Sequence, residues 1–248
     1  MALGIVLARG GSKGLPRKNA LPVAGKPMLA WSLEHALNSK YIERVVLSTD
    51  DDELAAIAQS LEVPVVRRPD DLAHDTATVD AAARHCLAQL EMQADSIAGV
   101  ETKHLAILYG NVPVRPADLT DRALSTLIDT GCDSVQSVYR VGKTHPYWMK
   151  TVTDDRDGGA LGMYIENNIY RRQELPPVYM LDGGVIALTR AALLTVATDQ
   201  PHAFLGPDRR AVITEEGAVV DVDSLADLRV AEAILRHLNP ESTTDKHR

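Results

Sequence analysis

Leu7-Ala8-Arg9-Gly10-Gly11-Ser12-Lys13-Gly14-Leu15-Pro16-Arg17-Lys18-Asn19 closes an apolar run over residues 3–8, and its reading sets the reading of the rest of the chain. The apolar run has the composition of a buried strand. A strand that ends in a glycine-rich turn exposes successive backbone N–H groups, because glycine tolerates positive φ and close approach. Such N–H groups aimed into one hollow bind anions, and Arg9, Lys13, Arg17 and Lys18 add positive charge there. Residues 1–33 hold five basic side chains, Lys26 being the fifth, and no acidic one, whereas the whole chain carries a net −8. This reversal of sign points to a polyanion, such as the phosphates of a nucleotide. The spacing is not the Gly-x-x-x-x-Gly-Lys-Ser/Thr of ATPase phosphate loops. It also lacks the Rossmann fingerprint, since no acidic residue stands about twenty positions on.

Outward from that loop, 248 residues suit one large α/β domain, with or without a modest insertion. An apolar share of 45% and a charged share of 24% are ordinary for a globular enzyme. An acidic chain without a basic stripe argues against nucleic acid as a partner. No apolar run approaches the eighteen or so residues that span a membrane, so no membrane association and a cytoplasmic location are expected. Cys86 and Cys132 lack metal-ligand spacing and read as reduced packing residues. With a single Phe in the chain, aliphatic side chains must carry the core.

The pattern then alternates. Residues 27–37 have helical apolar spacing, and Val45-Val46-Leu47 marks a strand over 44–49. The acidic run Asp50-Asp51-Asp52-Glu53 reads as a helix start, where an Asp caps exposed N–H groups, in preference to a metal site. A helix over 54–61, a strand over 63–66, a polar loop over 67–78 and a helix over 79–90 follow. Within that loop His74 reads as a solvated residue. Residues 93–103 form a polar connection, 104–109 a fourth strand, 116–130 a helix and 134–141 a further strand. The loop after the fourth strand should share a cleft with the first loop, because ligands of open α/β sheets sit beyond the carboxyl ends of strands.

After Arg140 the alternation stops. Residues 142–181 hold most of the aromatic side chains between proline-rich ends, which suits an arm packed on a second copy or a lid over the core. Residues 182–188 return to the sheet. Near the end, Val219-Val220-Asp221-Val222-Asp223-Ser224 leads into an amphipathic helix reaching about residue 238, and 239–248 is a polar tail. Asp221 and Asp223 share one face of an extended segment. They either hold a cation between them or serve, in the case of Asp223, as a helix cap.

Ala8-Arg9-Gly10-Gly11-Ser12-Lys13-Gly14-Leu15-Pro16-Arg17-Lys18-Asn19 resembles the signature of the CMP-sialic acid synthetases (N-acylneuraminate cytidylyltransferases). The resemblance runs in ordered blocks from residue 3 to about 235. It implies an α/β fold with a mostly parallel, Rossmann-like sheet of the glycosyltransferase-A-like nucleotidyltransferase kind. The core would comprise 1–141 and 182–238, with 142–181 as an inserted dimerisation arm. It further implies transfer of CMP from CTP to an ulosonic, sialic-acid-like sugar acid in a homodimer. Ala8, Arg9, Gly10, Gly11, Ser12, Lys13, Lys18 and Asn19, with Arg68 and Thr78, would hold the nucleotide. Arg9, Lys13 and Lys18 would be catalytic through charge neutralisation. The family's Asp-x-Asp, here Asp221 and Asp223, would bind Mg²⁺. Tyr109, Asn111 and Arg115 would meet the acceptor, joined by Arg172 and Gln173 from a neighbouring subunit. Arg115 would grip a carboxylate, or else cap the strand or pair with Asp118. One departure stands out: the family commonly has Gln-Pro-Thr-Ser-Pro-Leu-Arg where this chain has Tyr109-Gly110-Asn111-Val112-Pro113-Val114-Arg115. The acceptor is therefore expected to differ from N-acetylneuraminic acid. Kdo, a phosphonate, another NTP, or nucleotide binding without catalysis stay open as alternatives.

Overall fold

The computed structural model describes residues 1–12, 14–74, 76–93, 102–154, 156–197, 200 and 202–239. Lys13, most of the polar connection and all but the first residue of the tail lie outside them. In chain order the elements are β1 (Ala2–Leu7), β2 (Pro22–Val23), β3 (Lys26–Pro27), α1 (Met28–Leu37), β4 (Ile42–Thr49), α2 (Asp52–Ser60), β5 (Val65–Arg67) and α3 (Val79–Gln93). Next come β6 (His104–Tyr109), α4 (Leu119–Thr130), β7 (Ser134–Arg140), β8 (Lys150–Val152), β9 (Leu161–Met163), β10 (Tyr179–Thr189), α5 (Arg190–Leu194), β11 (Arg209–Thr214) and α6 (Leu225–Leu238).

Seven strands form one sheet in the order β11-β7-β10-β6-β1-β4-β5. The pairs β1–β4, β1–β6, β4–β5 and β7–β11 are parallel, and β10 runs antiparallel to both β6 and β7. The result is the mostly parallel α/β sheet read from the sequence. Its interior strand β1 is buried along its whole length, because helices cover both faces. Leu3, Ile5 and Leu7 pack with Ala83, Cys86 and Leu87 of α3. Ala2 and Val6 pack on the other face with Leu33 of α1, Leu54 of α2 and Leu124 of α4. Both cysteines are buried and free, and burial pushes the Cys86 thiol up to about 12, consistent with a packing role.

A satellite cluster seats α6. Ala231 and Leu235 pack with Val23 and Met28 at the start of α1 and with Val114, Val220 and Val222. This small core carries the chain's last segment back to the carboxyl edge of the sheet. Residues 141–178 lie outside the sheet, with β8 and β9 pairing as a separate antiparallel hairpin, and residues 179–181 already pair with β7, so the sheet resumes earlier than residue 182. β11 is absent from the sequence reading. It is an edge strand whose pattern is largely exposed, with only Val212 and Thr214 buried, so it lacks the apolar run that marks the interior strands. Residues 219–223 form a single bridge, Val220 to Val114, and not a strand. No helix among the described residues is long and apolar enough to cross a membrane.

Candidate functional site

The chain leaves β1 toward β4 on one side and leaves β6 toward β7 on the other, so a crevice opens beyond the carboxyl ends of these adjacent strands. A cleft of about 260 Å³ occupies it. Ala8, Arg9, Gly11, Ser12, Lys18 and Asn19 of the first loop line it, with Arg68 and Thr78 from the β5–α3 connection and Tyr109 and Asn111 after β6. These residues come from three separate stretches of sequence, and the switch in strand order brings them together. His74 also lines the cleft, its Nδ1 2.7 Å from Thr76 Oγ1. A polar residue in a loop carries no sequence signal that separates a cleft wall from a solvated surface.

Two members of the first loop turn away from the cleft. The Gly10 N–H donates to Asp50 Oδ1 (3.0 Å), and a Cβ on Gly10 would lie 2.5 Å from Asp51 Oδ2. Gly10 is thus glycine because Asp51 occupies the space of a side chain, and its donor is already spent on a carboxylate. Arg17 likewise faces Asp51 and Glu53. Gly14 is constrained from the other side, since its Cβ would meet the Asp223 carbonyl at 2.7 Å. The loop is therefore clamped between the end of β4 and the segment before α6.

Asn19 is buried and donates from Nδ2 to the Arg9 carbonyl (2.9 Å). Its Oδ1 is buried with no hydrogen-bond partner among the described residues, which costs about 1–3 kcal/mol unless something in the cleft donates to it. Arg68 is held on β4 through Nη2 to the Ser48 carbonyl (2.9 Å) and Nε to Ser48 Oγ (3.3 Å). Burial lowers its pKa, opposed by Asp50. Thr78 Oγ1 accepts the Ala81 N–H (3.3 Å) at the start of α3.

Asp221 and Asp223 lie beside the cleft, each touching a residue that lines it. The alternation survives without a full strand: Val220 and Val222 are buried and both aspartates are exposed. Asn111 ties the segment to β6, with its carbonyl accepting the Val222 N–H (2.9 Å) and Nδ2 donating to the Asp221 carboxylate and to the Val222 carbonyl (3.2 Å). Lys18 Nζ lies 2.6 Å from Asp223 Oδ1. Asp221 reaches solvent on one side only; desolvation by its protein neighbours, and then Asp223, raise its carboxyl to about 6 against the pull of Lys18 and Arg115. Asp223 does not cap α6, because Ser224 does so in a reciprocal box with Asp227. Two neighbouring carboxylates are a hard-oxygen donor set matching what Mg²⁺ takes from a protein, its shell being completed by water and phosphate.

Tyr109 borders the cleft and also a second cavity of about 700 Å³, shared through Ala77, Thr78 and Val79 and extending to Gln136, His202, Phe204 and Arg209. Burial, and then Asp221, push the Tyr109 hydroxyl up to about 12.

Arg115 differs from its expected place. It is buried beneath the loop, with Nε donating to the Gly184 carbonyl (2.7 Å), Nη2 to the Tyr109 carbonyl (2.9 Å), and Nη1 to Ser32 Oγ (2.9 Å) and the Val112 carbonyl. Those donors hold three backbone carbonyls and the Ser32 hydroxyl and leave no open fork for a ligand. Asp118 pairs instead with Arg122. Arg172 and Gln173 do not reach the cleft of their own chain; they line a separate cavity of about 670 Å³ with Arg140 and Glu216.

The chain matches the cytidylyltransferase family model over residues 3–130. A pseudaminic acid cytidylyltransferase of Campylobacter jejuni is 29% identical over 242 residues, covering 96% of this chain and 97% of that one. An N-acylneuraminate cytidylyltransferase of Streptococcus agalactiae is 30% identical over 193 residues, 77% of this chain and 44% of that one. The structure of a CMP:2-keto-3-deoxy-manno-octonic acid synthetase complexed with CTP superposes with a TM-score of 0.68 at 21% identity, covering 96% and 99% of the two chains.

Proposed function

The chain belongs to the cytidylyltransferase family, and from that premise we propose that it transfers CMP from CTP to an ulosonic sugar acid and releases pyrophosphate. The observation that carries this reading is one cleft lined by Gly11, Ser12, Lys18 and Arg68, whose Lys18 and Asn111 also touch the carboxylates Asp223 and Asp221 beside it.

In the proposed reaction the acceptor's anomeric hydroxyl oxygen attacks the α-phosphorus of CTP in line. A bond forms from that oxygen to phosphorus, the α–β bridging P–O bond breaks, pyrophosphate departs, and the hydroxyl proton passes to solvent. The protein's task is to align the two substrates and neutralise charge. Backbone N–H groups of the first loop, Arg9 and Lys18 hold the triphosphate, and Lys18 stabilises negative charge as it grows on the leaving group. Lys13 belongs to the same set. A Mg²⁺ held by Asp221 and Asp223 would supply further positive charge at the α-phosphate. Arg115 keeps the β6 loop in shape and so holds Asn111 against Asp221.

The larger cavity beyond Tyr109 is the place for the acceptor, since it shares lining residues with the nucleotide cleft and is lined by the polar Gln136, His202 and Arg209 together with the apolar Ile186 and Phe204. A relative named for pseudaminic acid matches nearly end to end, and Tyr109-Gly110-Asn111-Val112 departs from the sialic acid pattern. Both support an acceptor of the pseudaminic type over N-acetylneuraminic acid.

A homodimer in the cytoplasm, where CTP is made, completes the proposal. Its support is the arm, which exposes Leu161 (69%), Tyr164 (63%) and Tyr170 (86%) on one short insertion. The test is pyrophosphate release from CTP, ATP, GTP and UTP across a panel of ulosonic acids. Release with CTP and one acid alone supports the reading; release with another NTP, or none, overturns it.

A further inference from the structure

We propose that Asp51 is a positioning residue for nucleotide binding: it holds the anion loop in its receptive shape through Arg17. The proposal rests on the cleft being the CTP site.

Asp51 stands at the carboxyl end of β4 and caps α2, its Oδ1 accepting the Leu54 N–H (3.0 Å). Capping uses one acceptor, and a Ser or Thr supplies it as well as an Asp. The rest of the carboxylate serves the loop. Arg17 Nη1 donates to Asp51 Oδ2 (2.8 Å) and Nη2 to Oδ1 (3.2 Å). This two-point grip fixes orientation as well as distance. Burial raises the Asp51 pKa, but the Leu54 N–H and Arg17 outweigh it and the net shift is downward. The carboxylate is therefore charged at neutral pH.

The grip falls where the loop is least free to hold itself. Arg17 adopts φ 56° and ψ 28°, the left-handed region that residues with a side chain avoid. Lys18, the next residue, reaches the cleft, so its direction follows from the backbone state of Arg17. On the loop's other limb Asp51 lies so close that only glycine fits at position 10, and Asp50 takes the Gly10 N–H. Two adjacent acids thus fasten both limbs of a strongly basic loop before any nucleotide arrives. Free of that fastening, the loop would have to be ordered by the ligand, and binding would weaken accordingly.

The test separates the cap from the grip. Asp51→Ser keeps an acceptor for Leu54 and removes the two-point grip on Arg17, leaving only its bond to Glu53; Arg17→Gln leaves the cap untouched. CTP affinity is measured by calorimetry, folding by thermal melts, and loop order by amide hydrogen exchange in the free protein. Each variant should weaken CTP about tenfold, speed exchange in the loop and melt close to the wild type. The double variant should be no weaker than Arg17→Gln alone, because that change already breaks the Asp51 link. Wild-type CTP affinity in either variant overturns the proposal, as does a double variant that loses the sum of the two. If Asp51→Ser fails to fold, Arg17→Gln with its intact cap decides by the same affinity criterion. A wild-type protein that binds no CTP overturns the reading of the cleft, and the proposal with it.

Discussion

Lys18 Nζ sits 2.6 Å from Asp223 Oδ1, joining the first loop to the last segment before α6 across 205 positions of sequence. The lysine is the better shielded partner, with 13% of its side chain exposed against 74% for the aspartate. The pair offsets charge in a cleft that would otherwise hold a loose ammonium beside two carboxylates. An entering triphosphate can take over the ammonium and release Asp223.

Lys18→Ala should lower turnover far more than it weakens CTP binding. Charge grows on the departing pyrophosphate, and losing one such contact costs roughly 3 kcal/mol, about a hundredfold in rate. Steady-state kinetics beside calorimetric CTP binding give the comparison. Near-normal turnover would remove Lys18 from the mechanism.

Asp221→Asn with Asp223→Asn should abolish activity and its dependence on Mg²⁺ while leaving the protein folded. Because Ser224 and not Asp223 caps α6, no cap is lost, and the melting temperature should not fall. A double variant that keeps turnover and still responds to Mg²⁺ would show that the pair is not the metal site.

Much of this arrangement was legible because its signals are local. The run over residues 3–8 and the glycines after it gave β1 and the first loop, and the acidic run over residues 50–53 gave the start of α2. The limits were physical. Gly10 carries the same sequence signal whether it faces a phosphate or, as here, makes room for Asp51. Arg115 looked like a ligand contact, since nothing in its neighbours reveals that the carbonyls of Tyr109, Val112 and Gly184 will converge on it. β11 was missed because an edge strand needs no apolar run, and the cavity wall at Gln136, His202 and Arg209 is assembled only by tertiary contact.

His35 should make stability pH-dependent. It is buried in α1 with Nε2 2.8 Å from Thr120 Oγ1 of α4, and burial, with Arg115 adding, lowers its pKa from 6.5 to about 4. The unfolded chain takes up a proton near pH 6.5 and the folded one does not. Its stabilising contribution is therefore complete above pH 6.5 and is lost as pH falls through about 4, a total of about 3 kcal/mol. In His35→Gln, denaturant titrations at pH 7 and pH 4 should differ by about that much less than in the wild type. An unchanged difference would mean that His35 is not held neutral.

Replacing residues 143–179 by a short linker should leave a monomer, because it removes the exposed apolar side chains of the β8–β9 hairpin. Sedimentation velocity reads this directly. An unchanged dimer would assign the interface to another face.

The most direct measurement is pyrophosphate release from CTP with Mg²⁺ and, in separate reactions, pseudaminic acid, legionaminic acid, N-acetylneuraminic acid and Kdo. The account predicts turnover with an acid of the pseudaminic type at kcat/KM above about 10⁴ M⁻¹s⁻¹, and much slower turnover with N-acetylneuraminic acid. Efficient use of N-acetylneuraminic acid would show that the departure at residues 109–112 does not govern acceptor choice. Absence of release with every acid, while CTP binds tightly, would contradict the claim that this cleft transfers CMP at all.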